Sequence, residues 1–77
     1  MAVVTAYIVG DRITISFPRG YIYLVEKDEY EKLKKYLEQH NFEKRNDFVY
    51  TAKCEQPEVV LEEIRKHIGV IVKEFII

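Results

Sequence analysis

The sequence contains little of what recognisable functional sites are built from. Of its 77 residues one is cysteine, three are glycine and two are proline, and tryptophan is absent. A lone cysteine excludes an internal disulfide framework and is typical of a reducing compartment, so we expect a cytoplasmic location. The glycines, Gly10, Gly20 and Gly69, are too scattered to form a phosphate-binding loop, which argues against the common nucleotide-binding motifs.

Strong charge of one sign and long apolar runs are lacking too. Lys and Arg number 12 against 13 Asp and Glu, a net charge of -1. No global field therefore attracts nucleic acid or an anionic membrane, and any anion site must be a local patch. Because the apolar runs are short, we expect no transmembrane span, no signal peptide and no membrane partner.

What the chain does contain is typical of a small globular domain. Hydrophobic residues make up 48% and charged residues 32%, whereas a disordered chain would lack so many Val, Ile and Tyr residues. We expect one domain over residues 1–77 with a modest core. Few Asn and Gln with abundant Glu, Lys and Ile resemble the composition of heat-adapted proteins.

The N-terminal third predicts three strands. Segments 3–9 and 12–17 flank Gly10-Asp11, a two-residue hairpin loop that sets Val9 opposite Arg12. Pro18 and Gly20 predict a turn into a third strand over 21–26. In that strand one face would carry Tyr21, Tyr23 and Val25, and the other Ile22 and Leu24.

The rest of the chain predicts two helices, a second hairpin and a last strand. Tyr30, Leu33 and Leu37 recur at helical spacing within 29–40, and Asp28 with Glu31 has the spacing of a capping box. Asn41 is predicted to end this helix, and segments 42–45 and 48–53 are predicted to form the second hairpin. A second helix is predicted from Pro57 to a stop at Gly69. The last predicted element is a strand over 70–77, which we expect to be interior or covered by a partner.

The predicted order is therefore β-β-β-α-β-β-α-β. Each helix can cross the same side of the sheet and shield its apolar residues. We expect an α+β fold, a two-layer α/β sandwich with a mainly antiparallel sheet and both helices on one face.

Residues that carry catalysis or bind metals are few and poorly spaced. Cys54, His40 and His67 form no CxxC, HxxxH or HExxH pattern, so we expect no metal and no cofactor. Ser16 is the only serine and lies within a predicted strand, and Asp11, like the other short acidic side chains, is explained by a turn or cap. We expect a protein that is not an enzyme and has no catalytic residues.

One segment partly resembles a known RNA-binding motif. The run RGYIYLVE, from Arg19 to Glu26, resembles the central strand motif of RNA-recognition motifs at Arg19, Gly20, Tyr21 and Tyr23. Ile22 and Glu26 depart from the motif, and the predicted strand precedes the first helix, whereas the family's strand follows it. The chain is therefore not assigned to that family, but in-phase tyrosines on an open sheet would offer stacking surfaces for unpaired bases.

The favoured hypothesis is a module that binds single-stranded RNA or DNA, within a ribonucleoprotein. The predicted contact residues are Tyr7, Tyr21 and Tyr23 for stacking and Arg19, Lys44 and Arg45 at the rim. The alternative is a homo-oligomer or adaptor that buries the same aromatic face or the C-terminal strand with Phe75, Ile76 and Ile77. A tyrosine stripe that is simply ordinary sheet surface is the third interpretation.

Overall fold

The computed structural model describes residues 2–68 and 71–77. They form five strands and two α-helices, with a 3₁₀ turn between the second strand and the first helix. The elements are β1 Val3–Val9, β2 Arg12–Ser16, the 3₁₀ turn Tyr21–Tyr23, α1 Lys27–Gln39, β3 Glu43–Asn46, β4 Val49–Lys53, α2 Pro57–Ile68 and β5 Ile71–Ile76. Neither helix of these residues is long and apolar enough to cross a membrane.

The strands form one mixed sheet in the order β3-β4-β2-β1-β5. Three of its pairings are antiparallel, and only β1 with β5 is parallel. Parallel strands need a long connection and cannot be joined by a short hairpin. Here the rest of the chain lies between β1 and β5 and supplies that connection. The predicted mainly antiparallel α+β fold is confirmed.

The N-terminal hairpin has the register that its sequence predicts. Val9 pairs with Arg12, Ile8 with Ile13 and Ala6 with Ile15. Gly10 has a φ of 60°, a left-handed conformation that glycine adopts without steric cost. The short loop therefore fixes which side chains of both strands share a face.

The core lies between one side of the sheet and the two helices. Every second residue of the central strands points toward it, because strand side chains alternate between faces. The buried cluster combines sheet residues Val4, Ala6, Ile8, Ile13, Ile15, Tyr50 and Val72 with helix residues Tyr30, Leu33, Leu37, Leu61 and Ile64. Both helices thus cover the same face, as the sequence predicts.

The predicted third strand is wrong, because residues 21–26 form a 3₁₀ turn and a loop. Gly20 adopts a φ of 76°, and the Tyr21 amide donates to the Pro18 carbonyl at 3.2 Å. The chain therefore coils where an extended strand was expected. In the sheet β2 has β1 on one side and β4 on the other, so residues 21–26 could not pair with β2 as a third strand.

The ends of α1 agree with prediction at one terminus only. Asn41 has the left-handed φ of 64° expected of a helix stop, and the Phe42 amide donates to the Leu37 carbonyl at 3.0 Å. The N-terminal capping box is wrong: the helix begins at Lys27 with Glu26 as its cap residue, which makes no side-chain cap bond. Asp28 instead lies inside the first turn, where the helix dipole stabilises a negative charge.

The last strand is an edge strand, which corrects the expectation of an interior one. β5 hydrogen-bonds only to β1 among the described strands, and Ile76 is exposed. Arg65 of α2 donates to the Val72 carbonyl at 3.3 Å and lies 3.4 Å from a Glu74 carboxylate oxygen. The predicted helix stop at Gly69 lies outside the described residues.

Candidate nucleic-acid interface

The side of the sheet opposite the helices is covered by no element of the described residues. We call this side the open face. Residues directly opposite one another on neighbouring strands point to the same side, so the pairing registers arrange the open face in rows that cross the strands, and three of these rows form the candidate site. The lysine row is Lys73, Thr5, Ser16, Val49 and Asn46; the aromatic row is Phe75, Tyr7, Thr14, Thr51 and Glu43; the arginine row is Val9, Arg12 and Lys53.

Two aromatic rings stack on each other in the middle row. The ring centroids of Tyr7 and Phe75 are 5.6 Å apart, and their planes meet at 21°. Tyr7 is 38% exposed and Phe75 is 51% exposed, so neither ring is part of the core. Because β5 is an edge strand, none of the described strands lies beyond Phe75 to continue the stack.

Cations lie in the rows on both sides of the aromatic pair. Lys73 precedes Phe75 by two residues on β5, which sets their Cα atoms about 7 Å apart along the strand. Arg12 and Lys53 lie directly opposite each other in the arginine row. The aromatic pair is therefore bracketed along the strand direction by positive charge.

The charge of the molecule is divided between the open face and the rest of the chain. Within the rows Lys73, Arg12 and Lys53 stand against one carboxylate, Glu43, which gives the three rows a net charge of +2. Asp11 of the adjoining hairpin loop lies 3.6 Å from the Lys53 ammonium. The whole chain has a net charge of -1, which leaves -3 for everything outside the rows. A nearly neutral sequence thus carries a local positive surface.

A hydroxyl network holds part of the open face in place. The Thr51 hydroxyl donates to the Ile13 carbonyl at 3.2 Å, lies 3.3 Å from the Thr14 hydroxyl, and accepts from the Arg12 guanidinium at 3.3 Å. Thr51 is only 3% exposed although it lies on this side of the sheet. These bonds position the Arg12 side chain along the surface, where its remaining N–H groups can reach a ligand.

A shallow hollow of about 270 Å³ lies at the lysine row. Thr5, Ser16 and Lys73 line it together with Val3, Phe17 and Pro18. Thr5 and Ser16 are half-buried, and within the described part of the chain their hydroxyls have no hydrogen-bond partner. The hollow therefore offers two hydroxyls and an ammonium group beside the aromatic pair.

The predicted tyrosines do not lie together. Tyr7 is on the open face, as expected. Tyr21 is only 3% exposed, and its ring packs 5.4 Å from that of Tyr30 and 5.8 Å from that of Phe17. Tyr23 is 86% exposed in the 3₁₀ turn, away from the sheet. The expectation that Tyr21 and Tyr23 stand side by side on the sheet is wrong.

The predicted rim cations are also dispersed. Lys44 pairs with Tyr50 in the ladder, which turns it toward the helix side, and its ammonium lies 3.2 Å from Asp47. Arg45 lies at the β-bulge of β3, with its guanidinium 4.0 Å from Glu43. Arg19 is exposed in the turn beyond the lysine row. Of these three, only Arg45 contacts a residue of the open face.

Sequence reasoning missed Phe75 and Lys73 as members of this surface. Both belong to β5, whose partner β1 is separated from it by most of the chain. The local pattern shows that Phe75 and Lys73 share a face, but it contains no signal for which strand they join. The parallel pairing alone brings Phe75 beside Tyr7.

A second cluster of reactive residue types lies on the helix side. Tyr36, His40, Cys54 and Glu63 line a pocket of about 260 Å³ with apolar neighbours. Burial, and to a lesser extent the charge of Asp11, raises the pKa of the Cys54 thiol, so it stays protonated at neutral pH. Among the described residues, no three His, Cys, Asp or Glu side chains are grouped to hold a metal ion.

Comparison with protein families, curated proteins and solved structures finds no match to this chain. Functional inference therefore rests on the geometry and charge of the surfaces described above.

Proposed function

We propose that the protein is a binding module whose open face takes up single-stranded RNA or DNA, as part of a ribonucleoprotein. The observation that carries this proposal is the stacked pair of Tyr7 and Phe75 with cations in the rows on either side. Single-stranded binders combine ring faces for bases with positive charge along the backbone path. The surface has both components in alternation.

The spacing of the rows suits a strand of nucleotides laid along β1 and β5. Successive rows are two residues apart, or about 7 Å, which matches the rise of an extended nucleic-acid backbone in order of magnitude. One base would extend the ring stack beyond Phe75, with Lys73 of the same strand facing a phosphate beside it. Arg12, two strands away on β2, would face a phosphate further along the bound strand. Thr5 and Ser16 in the adjoining hollow can donate to or accept from a neighbouring base.

The expected affinity is modest and depends on salt. A base stacked on an aromatic side chain is worth about 1–3 kcal/mol, so the two rings alone fall short of the roughly 8 kcal/mol that micromolar binding requires. The cations must supply the remainder. Neutralising three phosphates of a single strand gives a log–log salt slope of about -2, a loss of about twentyfold between 50 and 200 mM salt.

Charge argues against the alternative that this face pairs with a second copy. Two open faces laid against each other would oppose Lys73, Arg12 and Lys53 to the same three cations, with Glu43 and, beside Lys53, Asp11 as the counter-charges on each. Like charges in contact are costly at an interface. A polyanion satisfies the surface better than a second copy does.

We infer further that the module is not an enzyme and acts in the cytoplasm. The one thiol has a raised pKa, whereas a nucleophilic cysteine needs a lowered one. A single free cysteine also suits a reducing compartment.

The test is fluorescence anisotropy with labelled mixed-sequence RNA and DNA strands of about 10 nucleotides. We expect Tyr7→Ala and Phe75→Ala each to weaken binding about fivefold or more. Arg12→Gln is expected to reduce the size of the salt slope by about 0.7.

The chain offers matched controls for each substitution. Tyr23→Ala removes an exposed tyrosine that is not on the open face, and Lys35→Gln removes an exposed cation of α1. Both variants should bind like the wild type. Absence of binding up to tens of micromolar, roughly -6 kcal/mol, or equal weakening by Tyr7→Ala and Tyr23→Ala, would refute the proposal.

A further inference from the structure

The shallow hollow at the lysine row offers a ligand hydrogen-bond donors and a positive charge. Its polar side chains are those of Thr5, Ser16 and Lys73, and the other side chains that line it are apolar. An ammonium group only donates, and each hydroxyl can donate one hydrogen. The described residues of the lining include no carboxylate. The hollow therefore favours an anion that is rich in acceptor atoms.

The polar side chains of the hollow stand in one line across three strands. Thr5 pairs with Ser16 on one side and with Lys73 on the other. Neighbouring strands lie about 4.8 Å apart, so the two hydroxyls can each bond a different oxygen of one small anion. The long, flexible stem of Lys73 can bring its ammonium to the same anion. A single phosphate group can thus accept from all three side chains.

Two carboxylates near this end of the sheet face the helix side. Glu74 follows Lys73 in the chain, but its side chain lies 3.4 Å from the Arg65 guanidinium of α2. Glu29 accepts from the Ala2 amide at 3.1 Å and belongs to α1, which covers the face opposite the hollow. Neither carboxylate forms an ion pair with Lys73.

The open face ends at the hollow. β2 ends at Ser16 and β4 begins opposite it at Val49, so the lysine row is the last row to which these two strands contribute. The chain then turns at Pro18, which lines the hollow. The lysine and aromatic rows are about 7 Å apart. A nucleic-acid strand that stacks a base beyond Phe75 therefore reaches the end of the surface within about one nucleotide.

We propose that the hollow is a subsite for the terminal phosphate of the bound strand. The inference rests on the proposed function and names its preferred ligand, a single strand of RNA or DNA with a phosphorylated end. A phosphate monoester carries about -1.5 to -2 charges at neutral pH and has three acceptor oxygens. An internal phosphate carries about one charge and has fewer free oxygens. Lys73, Thr5 and Ser16 together match the terminal group better.

Fluorescence anisotropy with strands of one sequence, labelled on an internal base, tests the proposal. One strand of about 10 nucleotides has a 5′-phosphate, a second has a 3′-phosphate, and a third has hydroxyls at both ends. A fourth, hydroxyl-ended strand is about two nucleotides longer and therefore has the same charge as the phosphorylated strands.

We expect a phosphorylated strand to bind about tenfold more tightly than either hydroxyl-ended strand, because the bonds to its terminal group are charge-assisted. The preferred end, 5′ or 3′, gives the direction in which the strand lies on the open face. The longer strand separates recognition of the end from attraction by total charge.

Substitutions in the hollow should remove this preference. Thr5→Val combined with Ser16→Ala, and separately Lys73→Gln, should each reduce it to about threefold or less. Lys35→Gln and Tyr23→Phe remove an exposed cation and an exposed hydroxyl away from the open face, and both should keep the full preference. Circular dichroism checks that each variant is folded.

Equal affinity for the phosphorylated strands and the longer hydroxyl-ended strand would overturn the subsite and leave the proposed function standing. A preference retained in full by the folded Thr5 and Ser16 double variant and by Lys73→Gln would overturn it too. If no strand binds, the proposed function itself is refuted and the subsite with it.

Discussion

Replacing Tyr21 and Tyr23 in turn provides the sharpest test of the structure, because the two residues are equivalent in the sequence pattern and opposite in the fold. Tyr21 is 3% exposed and Tyr23 is 86% exposed. The ring of Tyr21 contacts those of Phe17, Tyr30 and Phe48 at centroid distances of 5.4 to 6.4 Å. We expect Tyr21→Ala to destabilise the protein strongly and Tyr23→Ala to leave its stability almost unchanged.

The size of each effect follows from burial. Truncating a large buried aromatic side chain to alanine costs about 3–5 kcal/mol, and a domain of this length loses about 4–8 °C of melting temperature per kcal/mol. Tyr21→Ala should therefore lower the midpoint by about 12 °C or more. Tyr23→Ala, a surface change, should stay within about 0.5 kcal/mol.

Tyr21→Phe separates the hydroxyl from the ring. Burial alone lowers the pKa of Lys34, but its hydrogen bond to Tyr21 and the nearby negative charge outweigh burial and raise that pKa. Because Lys34 and Glu31 are only half-buried, water can replace the lost hydroxyl. We expect a cost of about 1 kcal/mol, or about 4–8 °C.

Thermal melting followed by circular dichroism measures all three variants. If Tyr21→Ala and Tyr23→Ala melt within about 4 °C of each other, a difference below about 1 kcal/mol, Tyr21 is not a core residue. The 3₁₀ turn at Tyr21–Tyr23 would then be wrong, and the extended third strand would become the better description of residues 21–26.

Two further outcomes are expected. Gly10 has a φ of 60° and nothing within 4 Å of an added Cβ, so Gly10→Ala should lower the free energy of unfolding by about 1 kcal/mol through backbone strain alone, and Gly10→Asn should lower it less. Urea unfolding measures both variants. If the wild type, Gly10→Ala and Gly10→Asn are equally stable, residue 10 is not left-handed. Because the pKa of Cys54 is raised from its usual 9.0, the alkylation rate of the folded protein should reach half its maximum above pH 9.0 and shift lower on unfolding. A midpoint below that value would contradict the burial of the thiol.

Patterns that depend on neighbouring residues allowed most of the fold to be predicted. The Gly10 loop sets the hairpin register, and the helical spacing of Tyr30, Leu33 and Leu37 marks the buried side of α1. Both features require only local periodicity and turn chemistry. They are sufficient for a two-layer α+β fold with one covered and one open sheet face.

Predictions that needed tertiary information were wrong. Tyrosine and aliphatic residues alternate over 21–25 with the period of a strand. β-propensity is weak and depends on context, and burial of the Tyr21 ring against Phe17 and Tyr30 outweighs it. Because β5 is apolar on both sides, its sequence predicts an interior strand or one covered by a partner, and the interior position is the alternative that is wrong. Strand order in a sheet depends on long-range pairing, which the run of residues 71–76 does not encode locally.

The open face shows why net charge is a poor guide to partners in so small a protein. A total of -1 was expected to leave no global attraction for nucleic acid, and the sequence cannot reveal how the charges divide in space. The strand period places Arg12, Lys53 and Lys73 on the same side of the sheet and leaves the acidic excess elsewhere. An anionic strand near this molecule responds to the local surface, because salt screens charges beyond about 8–10 Å. The proposed binding therefore depends on the period of the strands and on the β1–β5 register. A shift of β5 by one residue would turn both Lys73 and Phe75 to the helix side of the sheet and abolish the site.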